Sequence, residues 1–452
     1  MSEKRVLFIA NDFPPIGGAG IQRPLFFAKY LPEFGWFPVV LTVREVAYPV
    51  KDPTLLTRVP EEVRIVRTET LELRRLLWLI RRARRPKNGA AGKAAPGSDQ
   101  AVSSKAREWG RALRRWLFVP DDRMLWAPFA VWAALREIRH AEISAIYATA
   151  PSYSSGVIGL IVSRLSSLPL VLDLRDPWTL DPYLPSATWL HAAVDRKLES
   201  ATMKQAARIV VISETMRQRL LAVHPGLEDK VRVITNGYDA QELDRLKAQE
   251  PGGKFLMVYS GSLYSHHKPA LRAFCKAWSR LARDNEDFRQ RAVLRLVGRC
   301  DPEIREEISH WQTSADLCAE VLGYLPHSES LSYLKGASAL LLLIKELDPA
   351  RHVITIPGKL FEYVAVDSPI LMIGPDGDAA EIVRKTGGLV LRQGDCRGTV
   401  CALERIFRWH MEGSGPLTPT ERREQRRRFE RRTLTADLAR QLDNAARNEQ
   451  TA

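Results

Sequence analysis

Short apolar runs alternate with longer segments of helical periodicity from one end of the chain to the other. The runs are rich in β-branched and aliphatic residues, which is typical of buried strands, and their alternation with helices predicts parallel sheets covered by helices. Seven strands are expected in the first part of the chain, at residues 5–10, 38–43, 63–67, 145–149, 168–172, 208–212 and 231–235. Six more are expected in the second part, at residues 255–260, 293–297, 320–322, 338–343, 369–373 and 388–391.

A polar, glycine-containing stretch at residues 241–253 separates the two series of strands. We therefore predict two doubly wound α/β domains, at residues 1–240 and 250–415, followed by a C-terminal helix within 416–452 that packs back on the body. Ligands bind at the carboxyl ends of the strands in open parallel sheets, so two such sheets facing each other predict a cleft that holds the chemistry.

Composition narrows the class of protein. With 452 residues, of which 45% are apolar and 27% charged, the chain has the profile of a folded globular protein of two or three domains. No apolar run approaches the roughly 18 residues that a spanning helix needs, and Asn11 and Asp12 interrupt the first apolar stretch too early for a secretory signal. We expect a cytoplasmic protein. Its five cysteines have scattered spacings without a CxxC pair, so neither a disulfide framework nor a zinc site is predicted.

The net charge of +14 is concentrated in one segment. Between Arg74 and Arg115 there are 13 lysines and arginines but only two acidic residues, Asp99 and Glu108, which gives +11. We predict a flexible basic insertion at about 70–118. Arginines interleaved with Trp and Leu over 74–117 favour contact with an anionic membrane surface. The alternatives are a solvated face whose apolar residues pack on the body, and a nucleic-acid-binding surface, against which the chain carries no RRM, KH or zinc-finger motif.

Two glycine-containing loops follow predicted strands. Gly17, Gly18 and Gly20 precede a helical stretch, so backbone and helix-start amides there suit an anionic ligand. The GGxG spacing is not that of a dinucleotide site, and a tight turn without a ligand is the alternative. In the second loop, Gly261 is followed by Lys268 at the start of a helical pattern. That lysine could neutralise a diphosphate and stabilise its departure, or it is simply solvated.

The segment ITIPGKLFEYVAV predicts a helix that begins near Pro357 and Gly358. Lys359 and Glu362 are three residues apart and share a face of that helix. A carboxylate with two acceptor oxygens suits the vicinal hydroxyls of a ribose. An ordinary Lys–Glu surface pair is the alternative.

Six segments in register resemble the landmarks of family 4 of the GT-B glycosyltransferases: NDFPPIGGAGIQR, DLRDPW, VVISETM, VITNGYD, VYSGSLY and GKLFEYVAVDSPILMIGPDGDAAEIV. The resemblance implies a GT-B fold, with two Rossmann-like domains facing a cleft, and a hexosyltransferase that retains anomeric configuration. The N-terminal domain would hold the acceptor, a lipid-linked or cell-surface glycan of the cell envelope. The C-terminal domain would hold a nucleotide sugar. No cofactor and no metal are expected, and the enzyme would act at the inner face of the membrane.

The resemblance also assigns residues. Lys268 and Glu362 would be catalytic, the first on the diphosphate and the second on the ribose. Acceptor-side roles would fall to Arg23 and Asp176. Further donor contacts are expected at Gly17, Gly18, Gly20, Gly261, Ser262, Arg299, Lys359 and Leu360.

Three positions depart from the family pattern. Ile354 occupies the position of a glutamate that often precedes Glu362 by eight residues, and Ser262 that of a frequent arginine. Gly156 stands where relatives often have a histidine near the acceptor. The first departure keeps a non-catalytic glycosyltransferase-like partner protein as an alternative.

Two polar clusters have competing interpretations. Asp173, Arg175 and Asp176 of DLRDPW follow a predicted strand and would either orient the acceptor or form an internal ion pair. His266 and His267 lack partners at metal-ligand spacing, so we interpret them as a solvated pair.

Overall fold

The computed structural model describes residues 4–44, 51–71, 116–180, 187–249, 252–314, 317–345 and 356–449. Most of the predicted basic insertion at about 70–118, and Ile354, lie outside the described residues. The chain forms two compact units. The first contains the residues up to Ile212, Met216–Ile234 and those from Thr435 onward, and the second contains Ser213–Thr215 and Thr235–Leu434.

The first unit is built on a seven-stranded sheet in which every pair of neighbours is parallel. Its strands are β1 Lys4–Ile9, β2 Trp36–Val43, β3 Arg64–Thr68, β4 Ile143–Ala150, β5 Leu170–Leu174, β6 Arg208–Val211 and β7 Val231–Val233. They lie in the order β3-β2-β1-β4-β5-β6-β7. The helices between them are α1 Gln22–Tyr30, α2 Ala127–His140, α3 Tyr153–Ser166, α4 Trp189–Gln205 and α5 Glu214–Val223.

The second unit has a six-stranded parallel sheet in the order β10-β9-β8-β11-β12-β13. Its strands are β8 Phe255–Ser260, β9 Ala292–Val297, β10 Ala319–Gly323, β11 Ala339–Leu343, β12 Ile370–Ile373 and β13 Leu389–Leu391. Its helices are α6 Ala240–Asp244, α7 Lys268–Asp284, α8 Glu286–Arg291, α9 Pro302–Ser314, α10 His327–Lys335, α11 Gly358–Ala365, α12 Asp378–Lys385, α13 Cys396–Glu412 and α14 Pro419–Arg427. The last helix, α15 Arg431–Glu449, begins in this unit and continues in the first.

Both faces of the second sheet are buried. Along β8, Phe255, Met257 and Tyr259 pack into one apolar core, whereas Leu256 and Val258 pack into another on the opposite face. Because successive side chains of a strand point to opposite faces, a strand buried on both sides has to be apolar throughout. The same reason explains why these strands appear in the sequence as continuous apolar runs.

The predicted architecture of two parallel-sheet α/β domains is confirmed, and all thirteen predicted strands are present with ends that agree to within two residues. The tail at 416–452 contains two helices instead of the single one that we predicted. Among the described residues, no helix combines the length and the apolarity needed to cross a bilayer.

Candidate functional site

In the second unit, the candidate site lies where the strand order reverses. β8 and β11 are neighbours there, and chains leave their carboxyl ends toward opposite sides of the sheet, a position at which ligands bind in open α/β sheets. The loop Gly261–His267 follows β8 directly, and α11 begins at Gly358 after β11.

Two glycines bring the loops after β8 and β9 into direct contact. Gly298 has a φ of +137°, and a Cβ added there would come within 2.2 Å of the Gly261 carbonyl oxygen. Gly261 has a φ of +109°, and its own Cβ would lie 2.8 Å from Lys359 Nζ. The Gly261 N–H donates to the Val297 carbonyl at 2.7 Å. Bare backbone therefore faces a lysine amine, an arrangement suited to an anionic ligand.

Lys359 is held against this loop by a tyrosine of β8. Its Nζ donates to the Tyr259 hydroxyl at 2.6 Å and lies 4.0 Å from the centre of the ring. Burial lowers the pKa of Lys359 to about 8, although the nearby Glu362 carboxylate acts in the opposite direction. Lys359 is thus turned to the Gly261 loop, so the alternative of a surface pair with Glu362 is not realised.

Glu362 stands on a rigid helix. Pro357 precedes α11, and the helix is anchored in the core by Phe361 and Tyr363, whose exposed fractions are 1% and 0%. The Tyr363 hydroxyl accepts a hydrogen bond from the Ser260 N–H at 2.7 Å and so ties α11 to the end of β8. The predicted platform for Glu362 is therefore present.

The Glu362 carboxylate lies in a recess, with 32% of its side chain exposed. Burial raises the pKa of Glu362, whereas His327 and Arg431 act against that shift. The Nδ1 atom of His327 is 4.0 Å from Glu362 Oε1, and its Nε2 atom is 3.7 Å from Glu242 Oε1. The His327 imidazole consequently lies between two carboxylates, one of which, Glu362, is the residue predicted to bind the ribose.

Lys268 begins α7 and faces an acidic neighbour. Its Nζ is 3.7 Å from Glu307 Oε2, and Arg272 donates two hydrogen bonds to the same carboxylate, at 2.7 and 2.8 Å. The hydrogen bond from Arg272 lowers the pKa of Glu307 to about 2. With 31% of its side chain exposed, Lys268 is only partly solvated, and Glu307 holds it at the helix start.

The two histidines of the loop differ from each other, which corrects the expectation of a solvated pair. His266 is exposed, whereas His267 is half-buried and its Nδ1 accepts a hydrogen bond from the Tyr264 N–H at 3.1 Å. Burial, together with His266 and Lys359, lowers the pKa of His267 to about 4. His267 is therefore neutral at physiological pH, with Nε2 available as a donor.

The other predicted donor contacts have different surroundings. Ser262 is half-buried, and its carbonyl accepts from the Tyr259 hydroxyl at 3.2 Å. Arg299 is exposed, with its guanidinium 5.4 Å from the centre of the Tyr324 ring. The Leu360 side chain is 0% exposed and its N–H donates to the Pro357 carbonyl, so it anchors α11, and its contact with a donor stays a prediction.

In the first unit, the glycine loop leads from β1 into a helix, as predicted. Gly17 is half-buried, and Gly18 and Gly20 are exposed. Gly18 has a φ of +112° with no atom within 4 Å of an added Cβ, which leaves open space at the turn. A 3-10 turn at Ala19–Ile21 then enters α1. Ligand binding by these glycines stays a prediction.

Arg23 is engaged inside the first unit, and its acceptor-side role stays a prediction. Its side chain is 6% exposed, and its guanidinium donates to Asp173 Oδ2 at 3.0 Å and Oδ1 at 2.8 Å. The same carboxylate, at the end of β5, accepts from the Tyr147 and Thr149 hydroxyls at 2.7 and 2.9 Å. Burial alone would raise the pKa of Asp173, but the Arg23 charge and these donors hold it below its usual value. The network fastens α1 to the sheet.

Arg175 completes the internal arrangement of DLRDPW. It donates to the Ala150 carbonyl at 3.1 Å, to the Pro151 carbonyl at 2.5 Å, and to the Gly20 carbonyl. Arg175 therefore holds the loops through backbone carbonyls, and the internal ion pair of this motif is the one between Asp173 and Arg23. Asp176 is half-buried beside Arg175. Its acceptor-side role stays a prediction.

Sequence reasoning missed Tyr259, His327 and Glu242. Tyr259 lies two residues before Gly261 in VYSGSLY, so the motif did contain a signal for it. His327 and Glu242 come from helices far away along the chain, and no spacing connects them to Glu362.

One family model matches about a third of the chain. Residues 92–242 match the sequence model of Glycosyltransferase Family 4. The resemblance drawn from the motifs is thereby confirmed, and so is the interpretation of the chain as a glycosyltransferase. No curated protein matches the sequence.

Solved structures agree with the fold. HepE (Alr3699) of Anabaena, in complex with UDP and glucose, is 14% identical, with 97% of this chain and 99% of that chain covered and a TM-score of 0.57. A glycosyltransferase from Rickettsia africae is 12% identical, with 99% and 100% covered and a TM-score of 0.61. The lipopolysaccharide outer core galactosyltransferase WaaB is 11% identical, with 98% and 99% covered and a TM-score of 0.56. The predicted GT-B fold is confirmed.

Proposed function

We propose that this chain is a family-4 glycosyltransferase, which moves a hexose from a nucleotide sugar, bound by the second unit, to a glycan acceptor. The observation that carries the donor half of the proposal is the recessed Glu362 carboxylate on α11, next to the Gly261 loop and the Lys359 amine. Glu362 would accept hydrogen bonds from the ribose hydroxyls, and the lysines would meet the diphosphate. HepE, a structural neighbour with UDP and glucose, supports this donor class.

In the proposed reaction the bond between the anomeric carbon and the diphosphate oxygen breaks on the face where the acceptor oxygen bonds. The departing diphosphate takes the acceptor proton, so configuration is retained without a pair of catalytic carboxylates. Lys268 and Lys359 would stabilise the charge that grows on the diphosphate. The proposal assigns this task to the two amines, and we expect a chelator to leave activity unchanged.

For the acceptor we propose a lipid-linked or cell-surface glycan, assembled by a cytoplasmic enzyme that binds the inner face of the membrane. WaaB, a structural neighbour that acts on the lipopolysaccharide outer core, supports this acceptor class. The charge of segment 74–117 supports contact with an anionic surface.

Ligand binding tests the donor site. Thermal unfolding is followed with a panel of nucleoside diphosphates and nucleotide sugars, including UDP. We expect Glu362→Gln to weaken the binding of the preferred nucleotide roughly 10- to 100-fold, since each charged hydrogen bond contributes about 1.5–3 kcal/mol. Glu286→Gln is the matched control, because Glu286 is an exposed glutamate of the same unit that pairs with Arg289. If no nucleotide of the panel raised the unfolding temperature of the wild type, the proposal would be contradicted.

Activity tests the role of Lys268. Transfer is followed with the nucleotide sugar that binds, and the anomeric configuration of the product is read by NMR. We expect Lys268→Ala to lower kcat at least 100-fold with a smaller change in donor affinity, because the amine acts mainly on the leaving group. Binding without transfer by the wild type would favour a non-catalytic partner protein, and an inverted product would contradict retention.

A further inference from the structure

Helix α4 separates its charges between two faces. Its acidic residues point inward: Asp195 accepts from the Trp178 indole at 3.2 Å, and Glu199 accepts from the Thr179 N–H at 3.1 Å. Its basic residues Arg196 and Lys197 are exposed, and Lys204, two turns further on, is exposed as well. The outer face of α4 therefore carries positive charge without the acids of the same helix.

A groove runs along this outer face, where α4 packs beside α3. It has a volume of about 680 Å³ and is lined by four bases, from Arg164 of α3 and Arg196, Lys197 and Lys204 of α4. The remaining lining residues are small or neutral: Ala193, Ser200, Ala201 and Gln205. Among the residues that the structure describes, none that lines the groove is acidic, so an anionic group can enter it without repulsion from them.

Large apolar side chains are exposed near both ends of the same helix. At the start of α4, Trp189 is 80% exposed and Leu190 is 56% exposed, and Leu165, next to Arg164 on α3, is 63% exposed. A soluble protein seldom exposes two adjacent large apolar residues, as at Trp189 and Leu190, beside a basic groove unless they meet a partner. Trp at the end of a helix with Leu and bases along one side is the composition of a surface that lies in a membrane interface.

Two further exposed apolar residues lie near the start of α4. Trp116 and Leu117 are 58% and 47% exposed, and the Trp116 carbonyl is 2.9 Å from Nε2 of His191 on α4. Trp116 directly follows the 13 lysines and arginines of 74–115. In the sequence, the basic segment thus ends next to a residue that contacts the start of α4 at His191, on the side of the helix that carries Asp195.

We propose that the outer face of α4, with Arg164 and Leu165 of α3, is a docking surface for an anionic lipid bilayer. The groove bases lie among lipid phosphates while Trp189, Leu190 and Leu165 enter the interface. Aliphatic side chains at this position favour a bilayer over nucleic acid, because they neither stack on bases nor pair with them. The inference rests on the proposed lipid-linked or cell-surface acceptor and names the surface that would bring the enzyme to it.

Vesicle flotation of the full chain tests the charge. Vesicles of phosphatidylcholine alone are compared with vesicles containing phosphatidylglycerol. We expect binding only with the anionic lipid, and we expect Arg196→Ala/Lys197→Ala/Lys204→Ala to lower partitioning on the order of a hundredfold, at about 1 kcal/mol per base. The matched control, Lys276→Ala/Arg280→Ala/Arg283→Ala, removes three exposed bases from α7 and should bind nearly as the wild type.

A second variant tests the apolar part. Trp189→Ser/Leu190→Ser keeps every charge. High salt screens the attraction between charges, so the binding that remains there comes from apolar contacts, and this variant should lose most of it. Trp fluorescence should shift to shorter wavelength with anionic vesicles in the wild type and not in this variant. If the α4 and α7 triple variants lost vesicle binding equally, binding would depend only on the net charge of the protein, which would overturn the proposal. The proposal would also be overturned if the α4 variants floated as the wild type does, or if they lost only binding to DNA, measured in parallel.

The donor site gives an independent control. All α4 variants should keep the thermal shift with nucleotide, because α4 belongs to the first unit and the donor site to the second. A variant that keeps the nucleotide shift and loses flotation supports the surface. Flotation without any nucleotide response in the wild type would instead contradict the proposed function and leave the surface standing.

Discussion

Lys359 should report the arrival of a diphosphate by taking up a proton. Burial lowers its pKa to about 8, so at pH 8 about half of the amines are neutral in the free protein. An anion at the Gly261 loop favours the charged form and raises that pKa. We therefore expect binding of UDP at pH 8 to take up about half a proton, and less at pH 7, where the amine is already charged. Calorimetry in buffers of different ionisation enthalpy measures the uptake.

Two variants separate Lys359 from other groups. Lys359→Arg keeps the charge but does not titrate in this range, so it should bind UDP without proton uptake. Lys359→Met should lose both the uptake and part of the affinity. His267, with a pKa of about 4, is neutral at pH 8 and should not contribute to the uptake. An uptake of wild-type size in Lys359→Arg would therefore show that a group other than Lys359 takes up the proton.

Residue roles were predictable only where the evidence was local. The three-residue spacing of Lys359 and Glu362 puts both on one side of a helix, and the structure keeps them there. Leu360 lies between them, and its place in the core follows from which side of α11 meets the sheet, which no local spacing reveals. Arg23 similarly appears in the sequence as a polar residue beside a glycine loop. Its partner Asp173 lies 150 residues away, and pairing over that distance becomes visible only in the fold.

Among the elements, the crossing of the loops after β8 and β9 depends on one glycine. In Gly298→Ala the new Cβ would meet backbone of Gly261 at 2.2 Å, and the φ of +137° is itself strained for alanine. We expect the free energy of unfolding to fall by roughly 2–4 kcal/mol and UDP affinity to fall at least tenfold, because the Gly261 loop has to move. Denaturant titration and UDP binding measure the two effects.

Gly413→Ala is the control for backbone strain alone. Gly413 has a φ of +60° at the end of α13, and nothing lies within 4 Å of an added Cβ. Gly413→Ala should lower the free energy of unfolding by about 1 kcal/mol and leave UDP affinity unchanged. If both alanine variants weakened UDP binding equally, the contact between the two loops would not be what shapes the site.

Strands were predictable because parallel sheets bury both faces, which leaves long apolar runs in the sequence. Strand ends were less so, and β5 shows why. We predicted residues 168–172, but the strand is Leu170–Leu174, because Pro169 precedes it and Asp173 lies inside it. A charged residue in a sequence usually ends a strand. Asp173 continues one because Arg23, Tyr147 and Thr149 satisfy its carboxylate.

For the molecule as a whole, the C-terminal part of α15 should stabilise the first unit and not the second. From Thr435 onward α15 belongs to that unit, and Leu438 and Leu442 are 0% exposed. On the same helix, Asp443 accepts from Lys4 at 2.7 Å and from the Trp36 indole at 3.2 Å. We expect Leu438→Ala to cost about 2–5 kcal/mol in the free energy of unfolding, as large-to-small changes in a core do.

Hydrogen exchange shows where that cost falls. In Leu438→Ala the amides of β1 and β2 should exchange faster, whereas those of β8 and β9, which lie in the other unit with a core of their own, should keep their wild-type rates. The thermal shift with UDP should persist. Arg440→Ala, an exposed change on the same helix, should stay within about 0.5 kcal/mol of the wild type. Equal acceleration in all four strands would mean that the two units open as one, and the stabilisation would then not be selective.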